Sequence, residues 1–165
     1  MIKKTRDSHP FNSALECGLR SLIILETAFP LEYDLQRLVF YDYLLVHSGD
    51  AEGPSSIHPA TPHRSGEVLV KRKMLEQGLI LMLSRGLIAR TYDSTGIVYS
   101  ATDMATSYLD CLQSRYVHRL KERSSWVISV FNEFDDEGLE SYFYKNLDRW
   151  GGEFEKEAIL KHGLL

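Results

Sequence analysis

Cysteine is scarce in this 165-residue chain: Cys17 and Cys111 are the only two, far apart, with no CxxC or Cys/His spacing. That excludes a disulfide-stapled scaffold and gives no structural zinc template. A reducing cytoplasm is the expected compartment, with both thiols buried. Apolar runs are also short, none reaching the ~18 residues of a membrane span, and MIKKTRDSHPF at the start has no apolar stretch behind it before Leu15. Neither secretion nor membrane insertion is expected. Positive charge is not in excess, since the formal net charge is −4, which argues against a polybasic coat for nucleic acid or membrane. Catalytic signatures are missing too. No GxSxG, no phosphate-cradling GxxxxGK[ST] and no pair of histidines on one helix face occurs.

What is present is enough apolar character, 44% of residues, for one compact core. Ser13 and Glu16 form a capping-box pattern, and Leu15, Leu19, Leu22, Ile23 and Phe29 recur at helical spacing until Pro30. A second helix is predicted from Asp34 as cap to His47. Its middle, LVFYDYLLV from Leu38 to Val46, is apolar on every side except at Asp42. Such a helix is either buried all round or covered by another chain. A lone acid there needs a partner, and Arg64, Arg85 or a loop histidine is the expected one.

Three of the five prolines fall in SGDAEGPSSIHPATPHRS, residues 48–65. This is a long loop for so small a domain. A third helix is predicted over Gly66 to Arg85, stopped by Gly86. Leu87 to Tyr92 and Ile97 to Ala101 then alternate around the turn Asp93-Ser94-Thr95-Gly96, predicting a β-hairpin. Thr102 and Asp103 should cap a helix to about Leu112. Further helices are expected over Arg115 to Phe131 and from Asp135 or Asp136 to about Trp150.

The expected fold class is therefore α+β, mostly helical: a winged-helix-like core over 11–103 carrying the loop 48–65 and one hairpin wing, with a helical extension over 104–165.

If the third helix and wing read DNA, their surface should be basic. Between His63 and Tyr92 six bases, Arg64, Lys71, Arg72, Lys73, Arg85 and Arg90, face two acids, Glu67 and Glu76. Glu67 with Lys71 and Arg72 with Glu76 stand at the four-residue spacing of intrahelical pairs, leaving about four free cations. That is a weak footprint for DNA. The wing tip carries Asp93 and no base, and residues 132–165 hold nine acids against four bases. Tyr142, Tyr144 and Trp150 in that acidic part, with Phe40, Tyr43, His47, His58, His63, Leu79 and Met82, are the candidate partner-facing residues, and packing within the chain is the competing account for the aromatic ones. The loop histidines with Asp50 match no metal-site template, and no catalytic residue or cofactor is expected.

Read together, FNSALECGLRSLIIL, DLQRLVFYDYLLVHSGD, GPSSIHPATPHRSGEVLVKRKMLEQGLILMLSRGLI and GIVYSAT, with a helical tail ending near NLDRW, resemble one family, the type 2 middle component of bacterial ABC three-component systems. The resemblance spans about residues 11 to 150. It implies a winged-helix accessory subunit beside an SMC/Rad50-like ABC ATPase and an effector, expected to be a nuclease, in Lamassu-related anti-phage or anti-plasmid defence, bridging the two and assisting DNA sensing by the complex. No catalytic residue carries over. The matched positions His47, Ser48, Asp50, Gly53, Pro54, His58, Pro59, Pro62, His63, Arg64, Gly66 and Glu67 would form a structural or docking loop. A free-standing winged-helix regulator, binding duplex DNA as a symmetric dimer, is the competing function, and a loop-histidine metalloenzyme the third.

Overall fold

The computed structural model describes residues 13–59, 64–147 and 149–150, the side chains of 64–69 excepted. The chain runs α1 (Ala14–Ala28), β1 (Tyr33–Asp34), α2 (Leu35–Val46), a 3-10 turn (Ser48–Ala51), α3 (Arg64–Ser84), β2 (Ile88–Asp93), β3 (Gly96–Ala101), α4 (Asp103–Asp110), α5 (Arg115–Phe131) and α6 (Asp136–Leu147). It is a mostly helical α+β fold, as the sequence predicts.

Local chemistry explains most boundaries. Ser13 Oγ accepts from the Glu16 amide at 3.2 Å and starts α1, Asp34 accepts from Arg37 N at 2.8 Å and starts α2, and Ser114 accepts from Val117 N at 3.2 Å and starts α5. Gly86, at φ +69°, ends α3 in the left-handed region that favours glycine. Thr102 departs from its expected role. It occupies the cap position of α4, yet its hydroxyl donates to the carbonyls of Gly86 and Leu87 and so ties the end of the hairpin to its beginning.

The hairpin forms as predicted, with Asp93 opposite Gly96 and Ile88 opposite Ala101. Asp93 Oδ1 accepts from the amides of Thr95 and Gly96 and from the Thr95 hydroxyl, which fixes the turn. The sequence reading missed β1. Tyr33 and Asp34 pair antiparallel with Tyr99 and Val98, giving a three-stranded sheet in the order β1-β3-β2.

The core is built around α2. Every residue from Leu38 to Val46 is at most 2% exposed, so the all-round apolar helix is covered by its own chain, by α1, α3, α5 and α6. The closest approach lies between α1 and α3, where Gly18 and Gly78 face each other: a Cβ on Gly78 would strike Gly18 N and the Ala14 carbonyl. Glycine is required there because the two backbones touch. On the far side of α1, Ser124 of α5 donates to Thr27 at 2.9 Å, and Arg37 of α2 holds Asp136 at the start of α6 at 2.9 Å.

Candidate functional site

Asp42 lies fully buried at the centre of the molecule, and the partner chosen for it differs from those expected. Arg20 of α1 grips it in a fork, Nε to Oδ1 at 2.6 Å and Nη2 to Oδ2 at 3.1 Å, while Lys71 Nζ of α3 stands 3.7 Å from Oδ2. Burial alone would raise the Asp42 carboxyl. The Arg20 and Lys71 charges and the Arg20 hydrogen bonds overcome that and hold it below the usual carboxylate range. Arg85 is exposed at the end of α3, and the Arg64 side chain and His63 lie outside the described residues.

Around this ion cluster the polar groups are also enclosed. The Cys17 thiol, which accepts from Arg20 at 3.3 Å, is pushed up to about 11 by burial first and the Asp42 charge second. His58, 7% exposed, bonds Tyr116 Oη at 2.9 Å, and burial with the nearby Arg20 and Lys71 charges lowers it to about 4. Cys111, in contrast, is exposed, which corrects the expectation that both thiols are buried. It caps the C-terminal end of the short α4, where its thiol donates to the Ser107 carbonyl at 3.4 Å.

The described part of the long loop is tied to the core at several points. The amides of Ile57 and His58 both bond the Val46 carbonyl at 3.0 Å, Ser48 Oγ bonds Pro54 O at 2.8 Å, and Arg123 of α5 bonds Ser55 O at 2.9 Å. Gly53 lies directly under the Trp126 ring, leaving no room for a Cβ. Asp50 accepts from Tyr43 Oη at 2.5 Å, and its backbone carbonyl accepts from Trp150 Nε1 at 3.0 Å. His47 is buried against Tyr43, ring centres 4.9 Å apart. These histidines and acids act as struts, and among the described residues no group of three or more His, Cys, Asp or Glu is placed to hold a metal ion.

The candidate partner-facing residues divide sharply. Phe40, Tyr43, His47, His58, Leu79, Met82 and Trp150 are buried in this chain's own core, where Phe40 stacks on Phe143 at 4.1 Å and Tyr43 on Trp150 at 5.2 Å. Tyr142 is partly covered, packed on Phe131 and Phe134. Among the described residues of the set, Tyr144 alone stays outward, 47% exposed; His63 lies outside them.

The basic residues divide too. Lys71 is 1% exposed and turned toward Asp42, and Arg72 donates to Gln36 of α2 at 2.6 Å. Arg72 thus bonds Gln36 of α2 and not the Glu76 that its four-residue spacing suggested, while the side chain of Glu67, the expected partner of Lys71, lies outside the described residues. Lys73, Arg85 and Arg90 remain exposed.

What the sequence reading did not isolate is a row of large apolar side chains left in solvent. Val70 and Ile80, 59% and 63% exposed, lie on the outer side of α3 with Lys73, Glu76 and Gln77. On the hairpin, Tyr92 opposes Ile97 and Arg90 opposes Tyr99, so these four share one face. Burial raises the Tyr99 hydroxyl, with the Arg90 charge opposing that shift and the Glu76 charge adding to it. On the other flank of α3, a groove of about 860 Å3 is lined by Leu15, Leu81, Met82, Leu87, Met104 and Tyr108, with Arg85, Asp103 and Ser107 as its polar members.

A family model, described as ABC-three component (ABC-3C) system Middle Component 2, matches residues 10–153. The chain belongs to this family. No curated protein and no solved structure matches it. As a middle component it is an accessory part of an ABC three-component system. None of its described helices is long and apolar enough to cross a membrane.

Proposed function

We propose that this middle component is a non-enzymatic adaptor that joins an SMC/Rad50-like ABC ATPase to an effector, a nuclease in the simplest case, in anti-phage or anti-plasmid defence in the cytoplasm. The observation that carries the reading is the division of its side chains. Groups with chemistry to offer, namely Asp42, Arg20, Lys71, His47, His58 and Asp50, are spent on holding helices and loop together, while large apolar residues on α3, the hairpin and α4 face solvent. Exposed apolar surface in that quantity marks a protein partner.

The element order supports a winged-helix account of the core. A two-residue β1 between α1 and α2, then α3 and a hairpin, with sheet order β1-β3-β2, is in keeping with α3 as the recognition helix and β2-β3 as the wing of this proposal. Contact with duplex DNA would then come only through the assembled complex. Three described cations give little affinity alone, but a tethered weak contact still adds to a larger assembly.

The deciding experiment is co-purification of the tagged chain with the products of the adjacent genes, read by mass spectrometry and light scattering. A stoichiometric complex with a large coiled-coil ATPase is expected. A lone homodimer that shifts a specific DNA fragment would instead make the chain a free-standing regulator and overturn the adaptor reading.

A further inference from the structure

In the sheet order β1-β3-β2, β2 stands last, and among the described residues no strand pairs with its far side. Thr102 N donates to the Leu87 carbonyl at 3.1 Å, one step beyond the pair of Ile88 and Ala101, so Leu87 faces β3. Antiparallel alternation then turns the backbone groups of Ala89, Thr91 and Asp93 toward β3 and those of Arg90 and Tyr92 away from it. Residues 90–93 are exposed. Such an edge is a template for another strand, and proteins commonly blunt it with a proline, a lysine, a bulge or a very short strand. β2 has none of these: it runs six residues, IARTYD, in unbroken register with β3. Its acid is engaged within the turn, where Asp93 Oδ1 accepts from the amides of Thr95 and Gly96, and Arg90 is the remaining charge.

We propose that β2 pairs antiparallel with β2 of a second copy of this chain, about a two-fold axis at Thr91. The inference goes beyond the adaptor reading and does not depend on it. Backbone bonds alone would accept any extended segment, and the side chains select the copy. An axis at Arg90 sets that guanidinium against its own copy, with like charges directly opposed. An axis at Tyr92 slides Arg90 past the end of the strand to face Ser94 of the turn. The axis at Thr91 instead places Arg90 opposite Tyr92 of the second copy, and Tyr92 opposite its Arg90, in hydrogen-bonded pairs that use the outward backbone groups of both residues. Each guanidinium then lies beside an aromatic ring, the arrangement of a cation-π contact. Ile97 flanks Tyr92 and Tyr99 flanks Arg90 on the same face, so a row across the seam reads Ile97, Tyr92, then Arg90 and Tyr99 of the second copy. Tyr92, 73% exposed, and Ile97, 42% exposed, gain cover there. In this register β2 is its own complement, and that match of unlike residues commits the edge to a second copy.

The test uses the purified full chain, its mass followed by sedimentation over a wide range of concentration. A reversible dimer is expected. Tyr92→Arg sets arginine opposite arginine twice across the axis and should raise the dissociation constant roughly tenfold, with the thermal transition of each copy in place because the side chain is exposed. Adding Arg90→Glu to Tyr92→Arg restores unlike partners in this register alone and should recover the dimer. A second measurement needs no loss of binding. The non-hydrogen-bonded pair at the axis brings the two Thr91 Cα atoms to about 4.5 Å, within disulfide reach. In a Cys111→Ser background, Thr91→Cys should therefore oxidise to a covalent dimer and Ala89→Cys should not. A chain that stays monomeric at every concentration overturns the proposal. So does a dimer that ignores Tyr92→Arg and is not cross-linked through Thr91→Cys, which places the contact on another face. A monomer whose complex with co-expressed components is lost in Tyr92→Arg overturns it in favour of a strand from one of them.

Discussion

Arg20 Nε and Asp42 Oδ1 stand 2.6 Å apart with both side chains at most 1% exposed, so α1 and α2 are joined by an ion pair with no access to water. Lys71 from α3 completes the set at 3.7 Å. Removing one partner of a buried pair leaves an uncompensated charge and costs about 3–5 kcal/mol, whereas replacing the whole set by apolar groups is often neutral. Asp42→Ala is therefore expected to lower the free energy of unfolding by about that amount, with Arg20 and Lys71 left facing each other. The triple replacement Arg20→Met, Asp42→Leu, Lys71→Met should recover most of the loss. Urea denaturation of the three proteins checks this, and an Asp42→Ala protein as stable as the parent would show the cluster contributes nothing.

Acid should loosen the protein through His58 before it reaches Asp42. The His58 imidazole is lowered from its ordinary 6.5 to about 4 by burial and by the Arg20 and Lys71 charges. Between those values the unfolded chain binds a proton that the folded chain refuses, so stability rises with pH across the window and falls as pH drops from 6.5 toward 4. Asp42 adds a second loss at lower pH, since its carboxyl is held below the usual range when folded. His58→Gln keeps a hydrogen-bonding group beside Tyr116 and removes the titration. Its unfolding free energy should change less between pH 6.5 and 4 than that of the parent, and equal pH dependence in the two would refute the assignment.

Gly78 and Gly18 let α1 and α3 touch backbone to backbone. Alanine is worth up to about 1 kcal/mol more than glycine in a helix interior, but a Cβ on Gly78 would overlap backbone atoms of Gly18 and Ala14 that cannot rotate away. Overpacking of this kind costs about 1–3 kcal/mol, so Gly78→Ala is expected to lower the melting temperature despite the better propensity. Gln77→Ala, one residue away and exposed, should stay within about 0.5 kcal/mol. A raised melting temperature for Gly78→Ala would mean the helices separate freely.

Much of this was legible in the sequence, for identifiable reasons. Ser13, Asp34 and Ser114 announce helix starts because a cap needs only one side-chain acceptor near its own amides. Asp93 to Gly96 announce the hairpin turn, and the unbroken apolar run of α2 announces burial. The partner of Asp42 was not legible. Arg20 sits in an otherwise regular amphipathic helix, and only the crossing of α1 over α2 brings them together. Lys71 and Lys73 read alike in sequence, and nothing but the rotation of α3 about its axis tells them apart. The two strand residues of β1 are too few for an alternating pattern, and the aromatic residues near the end were ambiguous because packing against α2 and partner binding select the same side chains.

Those two lysines give the sharpest separation of structure from surface. Two residues apart on a helix they point about 200° from one another, and Lys71 faces Asp42 while Lys73 is exposed. Lys71→Ala should destabilise the fold, because Arg20 alone then balances Asp42 and a void opens where the long side chain lay. Lys73→Ala should leave stability within about 0.5 kcal/mol and act only on association, weakening the complex more at low salt than at high salt. Denaturation curves for both variants, set beside affinity measured at two salt concentrations, check the pair. Destabilisation by Lys73→Ala with none by Lys71→Ala would overturn this division of roles between the two lysines.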